Sequence, residues 1–183
     1  MALDEATRAR LSRMVQAHGY ERRDEPFQLT SGRWSHDYVD AKHAIATGAA
    51  LREASQAVID VVAQPFDSVG GPTMGADALA HGVALLSGST WFSVRKEPKG
   101  HGRHSWIEGA RLVSGDRVVM VEDVVSTGGS LLQAAERIKD LGIEIVAATA
   151  LLDRSPAVSE RFAQVGIPWL PLLTWADLEI EPL

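Results

Sequence analysis

Two adjacent carboxylates and a turn of small residues are the part of this chain best suited to chemistry. Glu122 and Asp123 follow the apolar run 118–121, and the turn 126–130 (Ser-Thr-Gly-Gly-Ser) comes shortly after them. Successive backbone N–H groups in such a turn can bind one anion, and glycines allow it a close approach. Adjacent acids repel phosphate but suit the vicinal hydroxyls of a sugar, with or without a divalent cation. The pattern therefore predicts a sugar phosphate as the ligand.

The elements around this segment have the periodicities of a parallel α/β sheet. The run 118–121 is typical of a strand buried on both faces, and a helical pattern follows the turn. Ligands of open α/β sheets bind at the carboxyl ends of strands, and the N-terminus of the next helix favours an anion. Strands and helices alternate from Phe66 onward, which predicts right-handed crossovers. The other predicted elements are helix 75–86, strand 90–94, strand 143–152, helix 156–165 and strand 168–173.

The first sixty-odd residues do not alternate in this way. The pattern there predicts a helix ending near Gly19, a short hairpin, and a helix capped by Thr47 that stops near Pro65. We expect residues 1–65 to contribute a hood over the site and residues 66–173 to form the α/β core. The 183 residues are thus interpreted as a single domain.

Composition excludes several classes of protein. The chain has 18 basic and 24 acidic residues and a formal net charge of −6, which disfavours a non-specific nucleic-acid binder. It has no cysteine, so disulfides and thiolate metal sites are excluded. No apolar stretch has the length of a bilayer span, and the N-terminus lacks the pattern of a signal peptide. We expect a cytoplasmic protein without a membrane or nucleic-acid partner.

A second group of charged residues lies in a long polar segment after the strand 90–94. Residues 95–104 include six Arg, Lys or His side chains in ten positions, although the protein is acidic overall. A charge run is often a solvated loop without a role, but a loop this long in a compact domain is more often functional. Its cations could neutralise a departing diphosphate and exclude water.

The segment 118–130 resembles the phosphoribosyl-diphosphate binding motif of the type I phosphoribosyltransferases. A strand–turn–helix without a ligand is one alternative. A response-regulator receiver is another, but receivers carry their acidic pair near the start of the domain. The segment 94–109 is similar to the catalytic loop of the orotate phosphoribosyltransferases within that family. The resemblance implies the type I phosphoribosyltransferase fold and Mg²⁺-dependent transfer of phosphoribose to orotate, in de novo pyrimidine synthesis.

The resemblance also assigns roles to individual residues. It makes Lys99 the best candidate for catalysis. The positions that match contacts to phosphoribosyl diphosphate are Thr73, Met74, Arg95, Lys96, Lys99, His101, Glu122, Asp123, Val124, Val125, Ser126, Thr127, Gly128, Gly129 and Ser130. Those that match orotate contacts are Tyr38, Val39, Ser126 and Arg154. No dedicated metal site is implied, because the substrate carries Mg²⁺, near Glu122 and Asp123.

Tyr38 and Arg154 also have chemical reasons to contact orotate. An aromatic ring suits a flat pyrimidine, and a guanidinium binds a carboxylate with paired hydrogen bonds. Each has a structural alternative: Tyr38 as a core residue, and Arg154 in a surface ion pair with Asp153 or Glu160.

Two positions depart from the family, because many members carry lysine where this chain has Thr30 and Met74. The loss of two positive charges leaves room for another base or planar acid as acceptor. A non-catalytic sensor of phosphoribosyl diphosphate that regulates gene expression is a third hypothesis, which the acidic charge and the complete basic loop disfavour. The resemblance further implies a homodimer in which the segment 95–109 is shared across the interface.

Overall fold

This computed structural model describes residues 3–29, 32–98 and 106–183, which form a small antiparallel sheet and a larger, mainly parallel one. The elements in chain order are α1 (Glu5–His18), β1 (Tyr20–Gln28), β2 (Trp34–Val39), α2 (Ala41–Ala44), α3 (Gly48–Val62), β3 (Ser68–Pro72), α4 (Asp77–Ser87), β4 (Thr90–Val94), β5 (Ile107–Gly109), β6 (Arg117–Val125), α5 (Gly129–Lys139), β7 (Glu144–Asp153), α6 (Ala157–Gln164), β8 (Leu173–Thr174) and a 3₁₀ helix (Trp175–Leu178).

The larger sheet has the strand order β5-β4-β3-β6-β7-β8, with β5 antiparallel to β4 and the remaining neighbours parallel. The alternation of strands and helices predicted from residue 66 onward is therefore confirmed. Strands β3, β6 and β7 lie side by side, so the turns that follow them meet at one edge of the sheet. That edge holds the turn 126–130, which the sequence singled out.

Strand β6 explains why an uninterrupted apolar run precedes the acids. Val119 and Val121 face one hydrophobic core, which includes residues of α1, α3 and α4. Val118 and Met120 face another, which includes residues of α5 and α6. Because both faces of the strand are covered, every position from 118 to 121 is apolar and buried.

Two edges of the sheet differ from the sequence-based expectation. Residues 107–109 were expected to belong to a polar loop, but they form β5 and pair with Phe92–Val94. The final strand was expected at 168–173, yet only Leu173 and Thr174 form a strand, preceded by an isolated bridge at Trp169. Pro168 has no N–H to donate, and Leu170 and Leu172 donate only separate hydrogen bonds to the carbonyls of Ala148 and Ala150 in β7, so no continuous strand forms before Leu173.

The first two long helices begin and end close to the predicted positions. Helix α1 ends at His18, and α3 begins after Thr47, whose side chain accepts a hydrogen bond from the N–H of Ala50 at 3.2 Å. Between them, β1 and β2 form a hairpin longer than expected. The division into a hood (1–65) and a core (66–173) stays a prediction. Within the described ranges, no helix combines the length and apolarity needed to cross a bilayer.

Candidate active site

The turn 126–130 lines an open cavity of about 300 Å³ together with the end of β6. Gly128 adopts φ 76°, a left-handed conformation that favours glycine, and it offers no capping side chain to α5. The N–H groups of the first turn of a helix have no intrahelical partner, and the helix dipole is positive there. Arg161 on α6 donates a hydrogen bond to the carbonyl of Thr127 and so fixes the other side of the turn. These features suit a phosphate monoester.

Glu122 and Asp123 lie beside this cavity and are both buried, with exposures of 8% and 9%. The N–H of Asp123 donates to Glu122 Oε1 at 3.1 Å, and the N–H of Val124 donates to Asp123 Oδ1 at 2.7 Å. The side chain of Lys42 of α2 extends to the acids, and its Nζ lies 2.8 Å from Asp123 Oδ2. The two acids are therefore held in different surroundings.

The surroundings give the two acids different chemistry. Burial, together with the neighbouring Asp123 charge, raises the pKa of Glu122 to about 9. The hydrogen bond to Asp123 raises the pKa of Lys42, which keeps the ammonium charged beside that carboxylate. A protonated Glu122 can donate a hydrogen bond, whereas a carboxylate at Asp123 accepts one. This combination suits two neighbouring hydroxyl groups.

This arrangement fits a resident cation poorly. Asp123 is already paired with Lys42, and a protonated Glu122 is a weak cation ligand. In the part of the chain that the structure describes, no group of three or more His, Asp or Glu side chains is placed to hold a metal ion.

The turn after β3 contacts the acids closely. A Cβ on Gly75 would lie 2.1 Å from Glu122 Oε1 and 2.6 Å from Asp123 Oδ1, so only glycine fits here without movement. Thr73 donates its N–H to the carbonyl of Val94 at 3.0 Å, which ties the turn to β4. The neighbouring Met74 side chain is 77% exposed. Both predicted diphosphate contacts in this turn thus directly precede Gly75, the residue that approaches the two acids.

Arg95 and Lys96 lie at the end of β4 and line another cavity, of about 270 Å³, which shares Ser130 with the turn 126–130. Arg95 Nη1 lies 3.2 Å from Glu108 Oε1, so the guanidinium of Arg95 is held next to β5. The remaining predicted residues of this segment, Lys99 and His101, lie outside the described residues.

The predicted orotate contacts come together around Arg154. This arginine is 2% exposed, and its Nη1 donates to the carbonyl of Asp37 at 2.9 Å, next to Tyr38. Its Nη2 lies 3.3 Å from Ser35 Oγ. Its backbone N–H donates to the carbonyl of Val125 at 2.8 Å, which places it beside Ser126. Arg154 therefore joins the end of β6 to strand β2.

The alternative in which Arg154 forms a surface ion pair is wrong, because the side chain is buried and bonded to β2. Asp153 instead accepts hydrogen bonds from the indole of Trp169 at 2.8 Å and from the N–H of Ser155 at 2.9 Å. Glu160 is exposed on α6.

Tyr38 and Val39 lie on β2, where both side chains are half-buried. The ring of Tyr38 meets Phe27 edge to face at 5.7 Å, and the Arg23 guanidinium lies 4.5 Å from its centroid. These neighbours hold the ring in place but leave part of it exposed.

Lys42 is the site residue that the sequence analysis missed. Asp40 caps α2 by accepting a hydrogen bond from the N–H of His43 at 3.0 Å, and this single turn carries Lys42. The available signal was Asp40 itself, which was assigned to the end of the predicted hairpin although an Asp at such a position is typical of an N-cap. Nothing in the local sequence indicates that the lysine reaches Asp123.

Sequence comparisons match the chain to named proteins. Residues 48–162 match the family described as phosphoribosyl transferase domain. The orotate phosphoribosyltransferase of Methanothermobacter thermautotrophicus is 40% identical over 151 residues, which cover 82% of this chain and 83% of that protein. The enzyme of the same name from Aquifex aeolicus is 36% identical over 178 residues, with coverages of 93% and 97%.

Solved structures agree with the sequence relatives. The orotate phosphoribosyltransferase of Mycobacterium tuberculosis, crystallised with 5-phospho-α-D-ribosyl 1-diphosphate, superposes with a TM-score of 0.79 at 31% identity. The superposition covers 95% of this chain and 99% of that one. The expected type I phosphoribosyltransferase fold is thereby confirmed. The chain belongs to the phosphoribosyltransferase domain family and, within it, to the orotate phosphoribosyltransferases.

Proposed function

We propose that the protein transfers phosphoribose from 5-phospho-α-D-ribose 1-diphosphate to orotate, giving orotidine 5′-monophosphate and diphosphate. The observation that carries the proposal is the meeting of three groups at one edge of the sheet. These are the amide-lined turn 126–130, the acids Glu122 and Asp123, and Arg154 beneath β2. A phosphate, a pentose and an anionic base must be held side by side in this reaction.

In the reaction, the bond between C1 of ribose and the diphosphate oxygen breaks, and the diphosphate leaves with the electron pair. N1 of orotate, having released its proton to water, forms the new bond to C1. Positive charge develops on the ribose and negative charge grows on the diphosphate, so cations near the leaving group lower the barrier. We assign this to Arg95, Lys96, Lys99 and His101, with Lys99 as the catalytic candidate. The turn at Thr73 and Met74 supplies backbone contacts to the same group.

The remaining phosphoribose is held at two points in this proposal. The 5′-phosphate binds to the amides and hydroxyls of the turn 126–130, and Val124 and Val125 carry the chain into it. The ribose hydroxyls bind to Glu122 and Asp123. Holding the sugar at both ends orients C1 toward the base and reduces the entropy lost on reaching the transition state.

The base occupies the space between the hood and the end of β6. Tyr38 and Val39 contact the flat ring, Ser126 lies at its edge, and Arg154 supplies guanidinium N–H groups to the carboxylate. Mg²⁺ enters as part of the phosphoribosyl-diphosphate complex, because Asp123 and Glu122 fit a resident cation poorly.

The test of the reaction is the absorbance change of orotate in the presence of magnesium and phosphoribosyl diphosphate. Parallel assays with uracil, adenine, hypoxanthine and nicotinate determine the acceptor. A protein that uses another of these in place of orotate would overturn the assignment. Omitting magnesium should abolish turnover, and full activity with chelator present would remove Mg²⁺ from the proposal.

Lys99→Ala tests the catalytic assignment. Turnover should fall far more than affinity for phosphoribosyl diphosphate, because the cation acts mainly on charge that develops in the transition state. An equal, small loss in both quantities would contradict this role.

We further propose a cytoplasmic homodimer in which part of the segment 95–109 of one subunit completes the site of the other. The resemblance of this segment to the family's catalytic loop supports the proposal. Sedimentation gives the mass of the assembly. Mixing inactive Lys99→Ala protein with inactive Asp123→Asn protein should restore activity if one intact site can form from two subunits. No recovery from a dimer that exchanges subunits would rule out loop sharing.

A further inference from the structure

One face of helix α5 connects the turn 126–130 to the cavity lined by Arg95 and Lys96. Ser130, Gln133 and Arg137 are spaced three and four residues apart, so they lie on one stripe of the helix. With Arg95 and Lys96 they line the cavity of about 270 Å³. Helix α5, which begins at the turn 126–130, therefore also places the cation of Arg137 beside Arg95 and Lys96.

Arg137 contacts the residue that follows β4 and the residue that precedes β5. Its Nη1 donates to the carbonyl of Arg95 at 2.7 Å. Its guanidinium carbon lies 3.7 Å from the ring centroid of Trp106, within cation–π distance. Arg95 and Trp106 are themselves joined, because the N–H of Arg95 donates to the carbonyl of Trp106 at 2.8 Å. One side chain thus holds the two residues together against α5.

These contacts occupy Arg137 with protein groups. A planar guanidinium can place one N–H on a carbonyl while its face stacks on an aromatic ring, which an ammonium cannot do with the same geometry. The side chain of the neighbouring Arg95 is oriented separately, by Glu108 at 3.2 Å and the carbonyl of Glu97 at 3.2 Å. Arg137 sets the position of the backbone from which the Arg95 and Lys96 side chains extend.

We infer that Arg137 is a positioning residue, which fixes Arg95 and Trp106 to α5 and so places Arg95 and Lys96 at the diphosphate end of the site. The inference rests on the proposed function. Arg137 acts through its two neighbours, and its stacking on Trp106 is as necessary as its charge.

A double-mutant cycle on Arg137 and Trp106 tests this inference. We expect Arg137→Met and Trp106→Ala each to lower kcat/KM for phosphoribosyl diphosphate by about tenfold, with KM for orotate unchanged. The kcat/KM of the double variant should be no lower than that of the less active single variant, because both changes break the same contact. Trp106→Phe keeps an aromatic face and should be close to wild type. Arg137→Lys keeps the charge but should retain most of the loss.

Lys139→Met is the matched control, because Lys139 lies on the same helix and also donates to a backbone carbonyl, that of Val165 at 2.6 Å. It should leave the kinetics unchanged. Multiplying effects in the double variant, wild-type kinetics for Arg137→Met, or full rescue by Arg137→Lys would each overturn the inference. If Arg137→Met does not fold, the Arg137→Lys and Trp106 variants still decide between these outcomes.

A wild-type protein that does not convert orotate would count against the proposed function alone. Calorimetric binding of phosphoribosyl diphosphate to the same variants then tests the inference without turnover. About tenfold weaker binding by Arg137→Met and Trp106→Ala, with no further loss in the double variant, would support it. Equal binding by all variants would refute it.

Discussion

Replacing Glu122 by glutamine should stabilise the protein, and the gain should increase with pH. Glu122 is 8% exposed and beside Asp123, which raises its pKa from 4.5 to about 9. The folded protein therefore binds a proton at this carboxyl that the unfolded chain releases above pH 4.5. Stability is lost as pH rises from 4.5 towards 9, because folding must reprotonate the group. Glutamine has the shape and donor of the protonated acid and does not titrate.

The size of the effect follows from the two pKa values. Each pH unit between them corresponds to about 1.4 kcal/mol. At pH 7 the wild-type protein therefore carries a cost of about 3 kcal/mol, and at pH 5 a cost below about 1 kcal/mol. The stability difference between Glu122→Gln and wild type should thus grow by about 2–3 kcal/mol between pH 5 and pH 7.

Urea denaturation at pH 5, 6, 7 and 8 measures this difference. Glu25→Gln, which changes an exposed glutamate of β1, is the control and should show a difference that varies little with pH. A stability difference for Glu122→Gln that is flat across this range, or that shrinks with rising pH, would refute the reasoning. It would mean that Glu122 is ionised in the folded protein.

Three further changes test other contacts. Lys42→Met removes the cation beside Asp123 and should raise KM for phosphoribosyl diphosphate several-fold; because Lys42 is half-exposed, urea unfolding should change by less than about 1 kcal/mol. Gly71→Ala places a Cβ 2.0 Å from the carbonyl oxygen of Val121 and should lower the free energy of unfolding in urea by about 1–3 kcal/mol. An unchanged free energy of unfolding would refute this close approach. Arg154→Met removes two hydrogen bonds to β2 and should cost about 2–3 kcal/mol, with faster amide exchange in β2 than in β6; equal exchange in both strands would contradict the link.

The sequence predicted the parts of the fold that depend on local patterns. The strand 90–94 was placed at the residues where β4 lies, and the run before Glu122 was correctly interpreted as a strand covered on both faces. The turn 126–130, which lines a cavity beside the acids, was singled out because a phosphate-binding turn needs small residues in direct succession. These features are visible in a window of about ten residues, which is the range over which periodicity is informative.

The sequence could not predict contacts between distant elements. Lys42 and Asp123 are 81 positions apart, and their pairing depends on how α2 packs against β6. The burial of Arg154 depends in the same way on β2. The strand at 107–109 was missed because three residues are too few to show an alternating pattern, and its pairing with β4 is a tertiary contact. The last strand was overestimated because its apolar residues were weighed more than its prolines.

The hydrogen bond between Arg95 and Trp106 has a consequence for variation among relatives. The segment between these residues leaves and re-enters the sheet at paired backbone positions. The two ends of the segment are therefore held together by the sheet itself. Arg95 and Trp106 are thus suitable end points for exchanging the sequence between them among enzymes while leaving the rest of the fold intact.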